Sequence, residues 1–599
     1  MKNVHSFHIP VMGIGFTIDS PLKVAQYGID SVISLVDDIL VEKMRKLYSE
    51  KFQIPYQEIS DKVDDFRAKR ITSYLNLLHE QTEQKFNQLK NITSEKSSAL
   101  RTYINMLPEY STVKKDFFKL TEDGVDFNKL KEWANKNLKK GSIDVNIMTK
   151  VDKENYLNKE MLPVEYNDAH AALRGFAESK LASSLVLSAG MNPKLYTYIS
   201  KFNDFFPDEK GYIKKKIILK VSDFRSAFIQ GKFLAKKGLW VSEYRIESGL
   251  NCGGHAFATD GFLIGPVLNE FKENKNTLVE QTKTLLLAAL KEANKVLPIT
   301  NLDLKITAQG GVGNEEEHSF LLEEYNLDSI GWGSPFLLVP EATSVDNKTI
   351  EKLANAKEKD LYLSNTSPLG VPFNTLRGNT KDIQKQALIE KNRPGTSCPN
   401  KFIQLNKEFK DSGLCVASRE YQHLKLKQLD SLDLNADDKK KEFDKIVEKS
   451  CICVGLGTST LILNKLDTNK TGDGVSVCPG PNMAYFNKIM SLGGITDHIY
   501  GRKNMVSRID RPNVFIKELS LYTSNLQEKL NDLKLSFDKK QLRYLVKFKN
   551  NLDKGIQYYN EVLLERKESF ISQKEVLYNA LKFEESKLIL IGEEINKLK

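Results

Sequence analysis

The chain has 599 residues and a mass of 68.1 kDa, well above the ~100–200 residues of a usual domain. Hydrophobic residues make up 40% and charged residues 28%, which supports a large folded core and excludes disordered, collagen-like and fibrous classes. Lys and Arg number 88 against 78 Asp and Glu, a net charge of +10; spread this thinly, with isolated runs such as Lys214 to Lys216, it gives no sign of a nucleic-acid partner.

Short apolar runs bounded by turn residues alternate with helical patterns through the first 345 residues, the signature of repeated βα units. Eight strands are expected, at 9–13, 31–36, 143–148, 185–189, 217–221, 239–246, 305–308 and 329–331. Helices are expected at 20–27, 193–205, 223–237, 266–296 and 314–325. The count is that of a (β/α)₈ TIM barrel, an α/β fold. Residues 38–140 are rich in Lys, Glu, Gln and Leu with few Pro or Gly, and read as a helical insertion after the second strand. The barrel is thus assigned to 1–37 and 141–345. Beyond it, 346–512 is a Cys-containing, loop-rich extension, with segments such as LSNTSPLGVPF, NRPGTSCPNKF and TGDGVSVCPGPN. From 513 to 599 there is no Pro, and Leu519, Tyr522, Leu526, Leu530 and Leu533 recur at three- and four-residue spacing, the apolar face of long helices that pack on the enzyme itself or on a homodimer mate. No window approaches the roughly 18 consecutive apolar residues of a membrane span. The opening MKNVHSFHIPVMGIG lacks a signal-peptide layout, so a cytoplasmic location is expected.

The sharpest chemical signal is a pair of turns, KITAQGGVGNEEE after the seventh strand and SIGWGSPFLLVPEAT after the eighth. Glycines between a strand and a helix let backbone N–H groups approach a phosphate, and the helix N-terminus adds donors. In these barrels the same two loops are the recurrent phosphate site. Gly310, Gly311, Gly333 and the Ser334 hydroxyl are therefore placed to hold a phosphomonoester; tight βα turns are the plainer reading. After the sixth strand runs IESGLNCGGHAFATDG. Its paired glycines allow a flat ligand to lie against backbone, and His255 follows them as a candidate acid or base with a pKa near working pH. Asn251 and Cys252 share this loop.

The GGH loop, the A-x-GG turn and the G-[ST]-x-F-L-x-x-P-E-A turn, in this order and in barrel register, resemble the nitronate monooxygenase (2-nitropropane dioxygenase-like) family of flavin mononucleotide barrels. They are also similar to flavin-dependent enoyl reductases and to the enoyl-reductase-like component of polyunsaturated fatty acid synthases. The resemblance covers residues 5–345 apart from the insertion. It implies FMN as cofactor, with Met12, Gly13, Ile14, Gly15, Asn146 and Lys220 near the flavin ring, Gly253 and Gly254 flanking it, and Gly310, Gly311, Gly333 and Ser334 on its phosphate. His255 would match the catalytic base. The implied activity is an FMN-dependent oxidoreductase, a monooxygenase of the nitronate class or an enoyl reductase of lipid or polyketide synthesis, with a small-molecule or carrier-linked substrate and a reduced nicotinamide or electron-transfer partner. A non-catalytic barrel scaffold is the remaining alternative. The insertion and the extension would close over the site, define the substrate, or receive a partner such as an acyl carrier or another biosynthetic protein.

Five cysteines, Cys398, Cys415, Cys451, Cys453 and Cys478, crowd into the extension at spacings of 17, 36, 2 and 25. They read as core thiols, as ligands of an iron–sulfur cluster feeding a flavin, or as a structural zinc site.

Overall fold

The computed structural model describes residues 4–91, 98–122, 126–247, 253–256, 260–506, 508, 510–565, 570 and 573–599. Eight parallel strands close into a barrel: β1 (Phe7–Ile9), β2 (Asp30–Ser34), β3 (Ile143–Met148), β4 (Ser184–Ser188), β5 (Lys216–Val221), β6 (Val241–Glu247), β7 (Lys305–Gln309) and β8 (Ser329–Gly331). They pair in sequence order around the ring, and β1 closes on β8 with Phe7 opposite Ile330. The expected TIM barrel is thus the observed fold. β1 starts and stops before its expected position, 9–13. Pro10 has no N–H for the ladder, and Gly13 sits at φ +55°, so the chain leaves the sheet after Ile9.

The register is what builds the site. Ser34 of β2 lies opposite Asn146 of β3, and Gly331, Gln309 and Glu247 are paired across β8, β7 and β6. Alternate residues of a strand face the same side, so the carboxyl ends of neighbouring strands present these side chains at a shared level.

The insertion divides into two parts. Its Phe66–Lys90 helix lies on the barrel: Tyr74 donates from its hydroxyl to the Ile18 carbonyl at 2.9 Å, Thr72 to that of Gly175 at 2.9 Å, and Ile71, Leu75 and Leu78 join the main core. This helix occupies the place of the crossover between β2 and β3. The Asp38–Lys51 helix joins the main core as well, through Leu40, Val41, Met44 and Tyr48, whereas residues 98–122 and 126–138 pack on the end of the Phe66–Lys90 helix around a small core of their own, with Phe86, Leu100, Tyr103, Ile104, Leu130 and Leu138.

At the other end of the chain, helices Val514–Leu535, Lys539–Tyr559 and Lys574–Lys597 pack on one another and on the barrel. Leu519, Tyr522, Leu526, Leu530 and Leu533 are fully buried there. The stripe is thus covered within one chain, the first of its two expected readings. A buried pair, Arg511 with Glu317 at 2.8 Å, ties the start of this bundle to the helix after β7. Among the described residues no single helix is long and apolar enough to cross a membrane.

Candidate active site

A cavity opens over the carboxyl ends of the strands. Its floor takes Ser34, Asn146, Ser188, Lys220, Glu247, Gln309 and Gly331, at or near the ends of β2 to β8, together with Met12, Gly13 and Ile14 after β1. Gly253, Gly254 and His255 line it after β6, and Gly310, Gly311, Gly333 and Ser334 after β7 and β8. The residues chosen from sequence for the flavin thus surround one space, with Gly15 as the exception. Its N–H donates to the Leu456 carbonyl at 3.0 Å and its carbonyl accepts from Thr460 Oγ1 at 2.7 Å, so it fastens the Ile452–Leu463 helix instead of facing a ligand. Asn251 and Cys252 lie outside the described residues.

The floor is polar and only partly satisfied. Lys220 pairs with Glu247, and Gln309 donates from Nε2 to Glu247 Oε1 at 2.9 Å. Among the described residues the side-chain carbonyl oxygen of Asn146 is buried with no hydrogen-bond partner, an arrangement that costs about 1–3 kcal/mol unless a ligand donor meets it, while that of Gln309 has the buried His8 ring within reach. Sequence reasoning found Asn146 but missed Gln309 and Glu247. Gln309 directly precedes the glycine pair of the A-x-GG turn, and that adjacency was the available signal.

At the end of the cavity by β7 and β8, Gly310 and Gly311 hold φ values of +104° and +80°, open only to glycine without strain. Among the described residues no hydrogen bond uses the N–H groups of Gly311, Gly333 or Ser334, so three donors are left for an acceptor that is not protein. The helix N-terminus expected to help them does not. The Glu315–Glu324 helix begins with three glutamates, Asn314 caps it, and the Gly313 N–H is taken by Glu317 at 2.9 Å. Ser334 Oγ accepts from the Gly480 N–H at 2.7 Å and keeps its own proton to donate.

The roof comes from the extension, which supplies Leu369, Phe373, Ile403, Ile452, Cys453, Leu456, Cys478 and Asn482. Among the described residues the insertion lends nothing to the wall, so its expected closure over the site is not what the structure has. His255 is clamped by the roof. Its Nε2 lies 2.7 Å from Ser367 Oγ, its ring centroid is 4.9 Å from that of Phe373, and the adjacent Ala256 N–H donates to the Pro372 carbonyl. Phe373 belongs to a hairpin of β9 (Leu361–Ser364) and β10 (Phe373–Leu376). Burial, with the charge of Lys220, lowers the His255 pKa to about 4, so the imidazole is neutral at pH 7. Gly253 packs against the carbonyl of Cys478, where a Cβ would stand 2.6 Å away; at Gly254 a Cβ would meet nothing within 4 Å. The open face of the GGH loop is therefore that of the Gly254 Cα, while its N–H donates to the Cys478 carbonyl and its carbonyl accepts from Asn374.

The five cysteines do not form one set. Cys398, Cys415, Cys451 and Cys453 gather behind the roof, while Cys478 stands apart beside the backbone of Gly13 and Gly254, its thiol pushed up to about 12 by burial. Among the described residues no three or more His, Cys, Asp or Glu side chains converge as a metal ion requires.

No protein-family profile matches the chain, and no curated protein does. Among solved structures it is similar to FabK from Thermotoga maritima, at 13% identity over 88% of this chain and 96% of that one, with a TM-score of 0.36. The enoyl reductase domain of MlnA, from the macrolactin biosynthesis cluster of Bacillus amyloliquefaciens, is 14% identical over 68% and 89%, with a TM-score of 0.33. A nitroalkane oxidase from Streptomyces ansochromogenes is 8% identical over 83% and 96%, with a TM-score of 0.31.

Proposed function

We propose that the chain is an FMN-dependent oxidoreductase whose flavin occupies the cavity over the barrel floor. The observation that carries this reading is the placement of unmet hydrogen-bonding groups at two ends of one space. The Gly311, Gly333 and Ser334 N–H groups suit a phosphate; the Asn146 oxygen, on β3 across the barrel, suits the N–H edge of a ring. When bound, a flavin would supply a reversible two-electron acceptor. The chain's own residues do the rest. Neutral His255, held by Ser367, accepts a proton from an acidic C–H or returns one. Lys220, Glu247 and Gln309 fix the polar floor, and Leu369, Phe373, Ile403 and Leu456 exclude water above it.

Within this class, proton abstraction by a neutral base fits nitronate-type oxidation, and the apolar roof fits reduction of an enoyl group on a small or carrier-linked chain. Oxidation of a reduced nicotinamide cofactor on addition of an enoyl thioester separates the two. The cofactor assignment is tested by titrating the protein with FMN and with riboflavin. FMN should bind at least ~100-fold more tightly, because only it carries the phosphate that charge-assisted bonds would hold; equal affinity would remove the phosphate assignment.

A further inference from the structure

Behind the roof lies chemistry that proton transfer at His255 does not use. Cys398, Cys415, Cys451 and Cys453 are all buried, at 4% exposure or less, and none is in a disulfide. Cys451 is the N-cap of the Ile452–Leu463 helix, and its Sγ lies 4.0 Å from that of Cys453 two residues on. Cys398 is within hydrogen-bond reach of both Cys415 and Cys451. The group spans the wall between two spaces: Cys453 lines the main cavity, and Cys398 and Cys415 line a second one bordered by Arg393, Lys401 and Arg419.

The pair Cys451 and Cys453 is electrostatically unequal. Lys381 is itself buried, bonded to Gln384 at 2.8 Å, and its ammonium faces Cys451, Cys453 and Cys398. The thiols of Cys398 and Cys453, with Lys381, hold Cys451 well below the usual thiol range. Cys451 as acceptor, burial, and the charge of Asp37 push Cys453 the other way. A buried ammonium needs a counter-charge, and a thiolate at Cys451 provides it. Thiolate beside thiol is the reactive form of a dithiol.

We propose that Cys451 and Cys453 are a redox-active dithiol that exchanges two electrons with the flavin of the adjacent cavity. In the oxidising direction an Sγ–Sγ bond forms between them, and the Cys453 proton is released. The two electrons and that proton pass to the oxidised flavin, so thiolate, thiol and oxidised flavin become disulfide and reduced flavin anion. The reverse step breaks the same bond and returns the proton to Cys453. A ring closed across a single intervening residue is strained, which favours a labile, exchanging disulfide over a structural one. The proposal rests on the flavin reading, and its test separates the two.

The full-length protein, equilibrated in dithiothreitol buffers of graded redox ratio, is alkylated under denaturing conditions and its cysteines read by mass spectrometry. A two-electron transition confined to Cys451 and Cys453 is expected, whether or not flavin is bound. In an anaerobic dithionite titration, the air-oxidised, flavin-loaded protein should take up four electrons per chain and the Cys453→Ser variant two, both being yellow before the titration and bleached at its end; Cys451→Ala serves if Cys453→Ser does not fold. Two electrons in wild type, or no transition at these cysteines, would overturn the proposal. So would stoichiometric iron or zinc that shields all four cysteines from alkylation. A protein that shows the thiol transition but takes up no flavin would instead sink the flavin reading and leave the dithiol.

Discussion

The floor and the roof of the cavity are built by different rules. The floor is made of strand ends, and the period of the sheet decides which side chains point inward, so Asn146, Lys220 and the glycine turns after β7 and β8 come together through ladder register alone. The roof is made of irregular segments whose positions depend on contacts between distant residues. His255 meets Ser367 across 112 residues, and Ser334 meets Gly480 across 146. A strand end can be exchanged for function without moving its neighbours; a roof segment has to be fastened, and here it is fastened to the catalytic candidate itself. Binding of the cofactor should therefore depend on the floor, and turnover on the roof's hold over His255.

The strongest break of this division is His255→Ala. Turnover should fall by about 100- to 10,000-fold, the usual worth of a general acid or base, while flavin stays bound at wild-type affinity; loss of flavin together with turnover would show that His255 holds the cofactor. Next in size is Gly311→Val on the floor. A β-branched residue at φ +80° is strained and crowds the phosphate turn, so FMN affinity should drop roughly 100-fold by equilibrium dialysis with His255 chemistry intact in the residual complex. Unchanged affinity would mean that the turn holds no phosphate.

Removing only the roof's hydrogen bond is gentler. Ser367→Ala should lower kcat about tenfold, the scale of one lost orienting bond of ~1.4 kcal/mol, with KM little changed. It should also release the ring's tautomer, visible as altered imidazole ¹⁵N shifts. A change confined to KM would point to substrate contact instead.

The smallest effect within the working range is that of pH. The folded pKa of His255 is about 4 against an ordinary 6.5, so the base stays neutral and kcat/KM should be flat from pH 8 to about 5, falling only near pH 4. His5, lowered to about 4, and His318, lowered to about 3, are buried as well. The unfolded chain takes up protons near 6.5 at these histidines while the folded chain does not, and stability should fall as pH drops from 6.5 towards 4, each unit of depression being worth about 1.4 kcal/mol per histidine. That loss is larger than the opposing gain from Asp37 and Asp30, whose carboxyls burial pushes up to about 7 and about 6. Denaturant midpoints across this range check the sign; a midpoint that rises on acidification would contradict it.

Legibility in the sequence follows the same line. The barrel, its strand count and most floor positions could be read because apolar period and glycine turns are local signals. The Phe66–Lys90 helix read as part of an appendage because nothing local distinguishes a crossover helix from an inserted one; only its contacts with Ile18 and Gly175 do. Gly15 carried the glycine signal but serves helix packing. Cys478 carried the cysteine signal, yet it is separated from the four clustered thiols by the three-dimensional path of the extension. Ser367 and Phe373 lie in the loop segment LSNTSPLGVPF and Ile403 just after NRPGTSCPNKF, so the covering role of these loops had a signal, but which of their residues reach the cavity is fixed only by what the roof rests on.

The central claim, a flavin held over the barrel floor, is tested most directly by the absorbance spectrum of the purified protein after incubation with FMN and removal of the excess. Flavin bands at one equivalent per chain, released into solution as FMN on denaturation, are the expected result. A colourless protein that takes up no FMN would contradict it.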